Sequence, residues 1–141
     1  MVLPNTTMVF SENDTVEIAK QFSKILSNGD VVLLCGDLGV GKTYFVRAVC
    51  AEYGISNVSS PSFAIINEYI GSKTVYHFDF YRIKKIRELF DIGIIDYFND
   101  EAVTFIEWAD LYPEVLPQKN YKIEFEFVNE TKRKLFITKN G

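Results

Sequence analysis

The first part of the chain combines apolar residues at helical spacing with one short run that is apolar throughout. Ser11, with Asp14 three residues later, resembles a capping box and predicts a helix whose apolar face runs through residues 18–26. Gly29 then ends this helix. The next segment, Val31–Cys35, is wholly apolar and rich in β-branched residues, which is typical of a buried parallel strand.

Helical spacing returns after Thr43 and stops at Gly54, so a second helix follows a glycine-rich connection. Two strand-like runs come next, at 64–70 and 74–82. They meet at a Gly-Ser turn, which predicts an antiparallel hairpin. The middle of the chain therefore mixes helices and strands.

The remaining segments continue this mixture. Residues 87–91 predict a short helix that Gly93 breaks, and residues 102–106 predict another buried strand. Residues 121–127 alternate apolar and polar side chains, and the chain then turns and returns through residues 135–137. We expect this second hairpin at the edge of the sheet.

A glycine-rich segment, GDLGVGKT at 36–43, satisfies the phosphate-loop pattern GxxxxGK[ST] between the predicted strand and helix. Glycines let the backbone approach phosphate oxygens and turn its amides toward them, at the positive end of the following helix. Lys42 would place its charge on the β and γ phosphates, and the Thr43 hydroxyl would take one coordination position of Mg²⁺. A chance glycine-rich turn fits less well, because the flanking strand and helix are also present. The predicted nucleotide-contacting residues of the loop are Asp37, Leu38, Gly39, Val40, Gly41, Lys42 and Thr43.

These elements predict an α/β fold, a single-domain P-loop NTPase with a mixed, largely parallel sheet flanked by helices and antiparallel hairpins. The length of 141 residues fits one domain, so we expect a single P-loop ATPase domain over residues 1–141. With 48% hydrophobic and 24% charged residues, the composition is that of an ordinary folded protein.

Net charge, apolar runs and cysteine content limit the ligands and the cellular location that the sequence allows. A net charge of −4 argues against a chain that holds nucleic acid by itself. No apolar run approaches the roughly 20 residues of a membrane span. Because the N-terminus also lacks the features of a secretion signal, we expect the cytoplasm. Cys35 and Cys50 lie in separate apolar segments and are expected to be reduced core thiols.

A P-loop enzyme usually has a carboxylate at a strand end that holds Mg²⁺ directly or through water. Two residues are candidates, Asp79 in YHFDFYR and Glu107 in VTFIEW. Glu107 follows an apolar strand and fits the pattern better, while Asp79 could also be a solvated hairpin carboxylate. The candidate catalytic residues are thus Lys42, Glu107 and Asp79, and the candidate metal ligands are Thr43, Asp79 and Glu107.

Two further residues stand near these carboxylates in the sequence. His77 is the single histidine of the chain, and an isolated imidazole in an aromatic strand is more often a hydrogen-bonded structural residue than a base, so it stays outside the catalytic set. Trp108, next to Glu107, either belongs to the core or packs against the nucleotide or its loop.

The phosphate loop alone does not distinguish an ATPase from a GTPase, a small-molecule kinase or a nucleotide-gated assembly module. A GTPase would need an NKxD-type segment, and the sequence has none. A small-molecule kinase usually adds an arginine-rich lid, and no such lid is evident. ATP hydrolysis is the leading hypothesis; a small-molecule kinase and a nucleotide-gated assembly module without significant hydrolysis are the alternatives.

Five ordered blocks of the chain resemble the TsaE (also called YjeE) family, the ATPase component of the bacterial machinery that makes threonylcarbamoyladenosine at adenosine 37 of tRNA. The resemblance spans nearly the whole chain. The blocks are GDLGVGKT at 36–43, SSPSF at 59–63 leading to NEY at 67–69, HFDFYR at 77–82, ELFDIGIIDYF at 88–98, and IEWAD at 106–110.

The resemblance implies roles for individual residues. Lys42 and Thr43 are similar to the family's phosphate and Mg²⁺ residues, and Asp79 is similar to a second carboxylate of the Mg²⁺ site. Glu107 resembles the acidic residue that assists hydrolysis or the metal. Trp108 resembles the family's active-site tryptophan and would contact the nucleotide.

The resemblance also implies a switch-like loop and a set of partners. Ser60, Pro61 and Ser62 resemble a loop over the nucleotide, although the family more often has threonine at the position of Ser62. The implied cofactors are ATP and Mg²⁺. The implied partners are TsaD and TsaB, which handle the tRNA, so that this acidic chain would meet tRNA only indirectly.

Overall fold

The computed structural model of the protein describes residues 1–36, 41–58, 65–99 and 101–141. The strands in these ranges are β1 (Asn5–Val9), β2 (Val31–Cys35), β3 (Ile66–Ile70), β4 (Thr74–Asp79), β5 (Ala102–Glu107), β6 (Asn120–Asn129) and β7 (Lys132–Asn140). The helices are α1 (Glu12–Ser23), α2 (Lys42–Ala51), α3 (Arg87–Asp91) and α4 (Ile94–Tyr97). Three 3₁₀ turns complete the described elements, at Phe80–Arg82, Ala109–Leu111 and Pro113–Val115.

All seven described strands belong to one mixed sheet with the order β1-β7-β6-β2-β5-β4-β3. The four central strands β6, β2, β5 and β4 pair in parallel, and antiparallel pairings join β1 to β7, β7 to β6, and β4 to β3. The predicted α/β class and mixed sheet are therefore confirmed. Parallel pairing is confined to the centre, with antiparallel strands on both sides.

The prediction that the second hairpin lies at the sheet edge is wrong. β6 pairs with β2, and β7 pairs with β1, so β1 is the outer strand on this side. β1 was not predicted, because its five residues, NTTMV, carry almost no apolar alternation. β1 owes its conformation to β7, a partner from the far end of the chain.

Local signals set several element ends as predicted. Ser11 caps α1 through an Oγ that accepts a hydrogen bond from the Asp14 N–H at 3.2 Å. The Asp14 carboxylate accepts from the Phe10 N–H at 2.9 Å, which completes a variant of the capping box. The run 74–82 is shorter as a strand than predicted, because the chain enters a 3₁₀ turn after Asp79.

Two apolar layers cover the two faces of the sheet. One layer contains α1, α2 and inward-facing residues of β2, β5, β6 and β7, and the other contains α3, α4 and the residues packed around them. Strand alternation places Phe105 in the layer of α2 and Ile106 in the opposite layer. Glu107 therefore shares the α2 face with Phe105.

The two cysteines lie in different layers and differ in their burial. Cys50 is a buried free thiol in the α2 layer, as expected. Cys35 is free and only partly buried, packed against the opposite layer.

No helix in the described part of the chain is long and apolar enough to cross a membrane.

Candidate functional site

The candidate site forms where the carboxyl ends of β2, β4 and β5 meet the amino end of α2. β2 ends at Cys35 and α2 begins at Lys42, so the segment with the phosphate-loop pattern joins a strand to a helix. Gly41 precedes α2 with a φ of 97°, a conformation that glycine adopts without strain. The predicted contacts at Asp37, Leu38, Gly39, Val40, Ser60 and Ser62 lie outside the described residues.

Glu107 is the centre of the hydrogen-bond network at this edge. It is the last residue of the buried strand β5 and is 6% exposed. Thr43 Oγ1 lies 3.0 Å from Oε1 and 2.9 Å from Oε2 of this carboxylate. His77 Nε2 lies 2.6 Å from Oε2. A hydroxyl from α2 and an imidazole from β4 thus hold one buried carboxylate from two directions.

Asp79 lies beside Glu107 because the two residues are register partners at the ends of the parallel strands β4 and β5. Its Oδ1 accepts from the Tyr81 N–H at 3.0 Å, and its Oδ2 is 3.6 Å from Arg82 Nε. Partial burial raises the pKa of the Asp79 carboxyl; the hydrogen bond from Tyr81 opposes this shift, and the charge of Glu107 adds to it. Asp79 is therefore part of the site rather than a fully solvated hairpin carboxylate.

The Lys42 side chain is turned into the site and is 5% exposed. Its ammonium donates to the Gly36 carbonyl and lies 3.8 Å from the centre of the Trp108 ring, a cation–π contact. Trp108 also packs against the α3 layer and against the Tyr81 ring, with centroids 5.0 Å apart. The structure therefore supports a core contact for Trp108 and also a contact with Lys42.

Trp108 is held in an unusual backbone conformation. Its φ of 59° makes it the one non-glycine residue with positive φ among the ranges that the structure describes. Its N–H donates to the Leu34 carbonyl at 3.0 Å, which ties the residue after β5 to the end of β2. Such strained residues cluster at functional sites, where the surrounding structure fixes them.

His77 is hydrogen-bonded and fully buried, as predicted for a structural histidine. Its contact with Glu107 was not predicted. Its Nδ1 faces the Tyr69 hydroxyl at 3.3 Å. The available signal was the spacing of His77 and Asp79, since two residues along a strand point to the same face.

All three candidate metal ligands lie at the same end of the sheet. Thr43, Asp79 and Glu107 offer one hydroxyl and two carboxylates, which are the hard oxygen ligands that Mg²⁺ prefers. Within the described ranges, no group of three or more His, Cys, Asp or Glu side chains could hold a metal alone. This donor set fits an ion that shares its coordination with a phosphate, because Mg²⁺ commonly uses only one or two carboxylates.

A cavity of about 460 Å³ lies beside the amino end of α2 and was not anticipated from the sequence. It is lined by residues of β1, α1, α2 and the β6–β7 hairpin, among them Phe10, Ser11, Gly41, Tyr44, Phe125 and Arg133. Its walls combine aromatic side chains with a few polar groups, and it is open to solvent on one side. Its walls come from segments far apart in the chain, which is why no local pattern reveals it.

Comparisons with known proteins agree with one another. The family model described as "Threonylcarbamoyl adenosine biosynthesis protein TsaE" matches residues 9–135. The tRNA threonylcarbamoyladenosine biosynthesis protein TsaE of Bacillus subtilis is 38% identical over 130 residues, which cover 91% of this chain and 81% of that protein. The protein of the same description from Rickettsia bellii is 34% identical, with 97% and 96% covered. The crystal structure of Bacillus subtilis YdiB superposes with a TM-score of 0.79 at 32% identity, over 100% of this chain and 88% of that chain.

Proposed function

The chain belongs to the TsaE family of tRNA threonylcarbamoyladenosine biosynthesis, and from that premise we propose that it binds ATP with Mg²⁺ and hydrolyses it to support its partners in this pathway. The observation that carries the proposal is the contact between Thr43 on α2 and the Glu107 carboxylate at the end of β5. This contact joins the residue that follows the loop lysine to the strand-end acid, as a P-loop site requires.

The phosphates of ATP would bind at the amino end of α2. The backbone amides of the first turn point toward this position, and the helix dipole favours negative charge there. Lys42 already lies inside the site, so its ammonium needs only to leave the Gly36 carbonyl and the Trp108 ring to reach a phosphate. The nucleoside would occupy the cavity beside Gly41, between Phe10 and Arg133.

Mg²⁺ would be held by the Thr43 hydroxyl together with Glu107 and Asp79, whose carboxylates lie side by side at the ends of β5 and β4. When bound, the ion would neutralise charge on the β and γ phosphates. Glu107 is fixed by hydrogen bonds from Thr43 and His77, so its carboxylate is oriented before any ligand arrives. Glu107 would therefore need little rearrangement on binding, and the main side-chain movement would be that of Lys42 toward the phosphates.

The partners in this proposal are TsaD and TsaB homologues in the cytoplasm, and tRNA would be reached only through them. Docking of the partners would raise the population of the active state, so turnover by the chain alone would be low. The net charge of −4 supports an indirect role toward tRNA, since a direct phosphate contact would need a basic surface.

A phosphate-release assay with and without TsaB–TsaD tests the proposal. We expect ATP turnover that rises when the partners are added and that is lost in Lys42→Ala and in Thr43→Ala. Thr43→Ser keeps the hydroxyl and should retain activity, and Lys20→Ala removes an exposed lysine of α1 as a matched control. Unchanged turnover in Lys42→Ala and Thr43→Ala would refute hydrolysis at this site.

The same assay separates the alternatives. Labelled phosphate that appears on a metabolite instead of as free phosphate would identify a small-molecule kinase. Nucleotide-dependent assembly with TsaB–TsaD and no phosphate release would identify a gated binding module. No feature of the described residues favours either alternative over hydrolysis.

A further inference from the structure

A line of hydrogen bonds runs from the outer strand β3 into the site. Asn67 Nδ2 lies 3.3 Å from the Tyr69 hydroxyl, and that hydroxyl lies 3.3 Å from His77 Nδ1. His77 Nε2 then lies 2.6 Å from Glu107 Oε2. The line crosses three neighbouring strands and ends on the carboxylate that also accepts from Thr43.

The last bond of this line has a defined direction. A carboxylate only accepts, so Nε2 of His77 carries the proton in its bond to Glu107. The Asn67 amide donates to the Tyr69 oxygen, and the Tyr69 hydroxyl and His77 Nδ1 share the bond between them. Both ring nitrogens of His77 are therefore engaged, and the imidazole presents its Nε2–H to Glu107 in one orientation.

We propose that His77 is a positioning residue for ATP hydrolysis, which fixes the Glu107 carboxylate through Nε2 so that the metal and the reacting phosphate meet it in one orientation. This role rests on the proposed function. A glutamate side chain has three rotatable bonds, and the single hydroxyl proton of Thr43 is shared between both carboxylate oxygens, so it does not select between them. The imidazole removes this freedom because it is itself locked, 0% exposed and bonded at both nitrogens.

A test of this proposal must separate the effect of His77 on Glu107 from its contribution to the core. His77 shares its face of β4 with Val75 in the α2 layer, so its replacement also disturbs the core. The two ring nitrogens allow the structural role and the positioning role to be tested separately. Glutamine places an amide nitrogen at the position of Nε2 and keeps the bond to Glu107, whereas asparagine reaches only the position of Nδ1 and keeps the bond to Tyr69.

The experiment compares His77→Gln with His77→Asn in the full chain together with TsaB–TsaD. We expect His77→Asn to lower kcat about tenfold or more and to raise the Mg²⁺ concentration for half-maximal rate about tenfold, with KM for ATP changed less than about threefold, because the partners of metal-bound carboxylates have effects of this size. His77→Gln should stay within about threefold of the wild type on each quantity. Val75→Ala serves as the control for lost stability, because it leaves a cavity in the same layer at a residue that does not bond to Glu107.

A second readout does not depend on turnover. Trp108 is the single tryptophan of the chain and lies next to Glu107, so its emission can follow Mg²⁺ titrated into the protein with ADP. The midpoint should move about tenfold upward in His77→Asn and stay in place in His77→Gln and Val75→Ala. Equal midpoints and equal kcat for the Asn and Gln variants would overturn the role of Nε2. A wild-type protein with neither phosphate release nor a nucleotide response would instead overturn the proposed function, and this role with it.

Discussion

The turn between β3 and β4 is held against the end of α2 so closely that one methyl group at Gly71 should disrupt it. A Cβ on Gly71 would lie 2.1 Å from the Tyr53 carbonyl oxygen and 2.7 Å from Ile55 Cγ1. The Tyr53 carbonyl accepts from the Ser72 N–H at 2.8 Å, so the chain cannot retreat without loss of this bond. Gly71→Ala must therefore displace the turn of the hairpin that carries His77 and Asp79.

Two effects of Gly71→Ala lower the free energy of unfolding: overpacking and the loss of a hydrogen bond. Overpacking against backbone that cannot give way costs about 1–3 kcal/mol, and a lost hydrogen bond adds about 1 kcal/mol, so the free energy of unfolding should fall by about 2–4 kcal/mol. At about 2.1 cal/mol/K of unfolding entropy per residue, a chain of 141 residues loses about 10 °C in Tm for a change of 3 kcal/mol. A shift of this size is well above the effect of an ordinary surface substitution.

Thermal unfolding followed by circular dichroism measures the shift, with Ser72→Ala as the matched control. Ser72 is exposed and keeps its backbone N–H in that variant, so its Tm should stay within about 2 °C of the wild type. A Tm for Gly71→Ala within the same range would show that the turn does not rest on α2 as the structure describes. We also expect Gly71→Ala to raise the Mg²⁺ concentration for half-maximal turnover, since β4 supplies Asp79 and His77.

Three further outcomes can be checked independently. Burial raises the pKa of the Cys35 thiol from 9.0 to about 11, so at pH 8 native Cys35 should react with iodoacetamide about 100-fold more slowly than in guanidinium; similar rates would contradict this. Ser11→Ala should cost about 1 kcal/mol in urea unfolding, whereas Ser11→Asp keeps an acceptor and should cost under about 0.5 kcal/mol. ATP with Mg²⁺ should change Trp108 emission as phosphate draws the Lys42 ammonium from the ring, and Lys42→Ala should abolish that response.

The sequence allowed the centre of the fold to be predicted because its signals there are local. The strand before the phosphate loop, the helix after it and the cap at Ser11 each depend on residues within a few positions of one another. The same holds for Glu107, since an apolar strand that ends in an acid is visible in the sequence alone. Such elements form where the sequence predicts because few distant contacts compete with the local preference.

The features that were missed depend on pairing between distant segments. β1 becomes a strand because β7 lies beside it, and the second hairpin lies inside the sheet because β6 pairs with β2. The contact of His77 with Glu107 requires the parallel register of β4 and β5, in which His77 lies opposite Phe105 and Asp79 opposite Glu107. Register of this kind is set by the whole buried face and cannot be obtained from one strand.

The charges of the site determine which form of the nucleotide it should favour. Glu107 and Asp79 lie side by side at the ends of β5 and β4, and the raised pKa of Asp79 reflects first its burial and also its acidic neighbour. Lys42 brings one positive charge to the same space, and the half-exposed Arg82, with its Nε 3.6 Å from Asp79 Oδ2, brings a second at its edge. A triphosphate without metal would add several negative charges next to two carboxylates, and the cost of that repulsion is large where water is scarce. In the proposed reaction, magnesium-bound ATP would bring a cation that offsets this repulsion, and the acidic pair would help to hold that cation. Nucleotide binding should therefore depend on Mg²⁺, and an ATP titration without the metal should show much weaker binding.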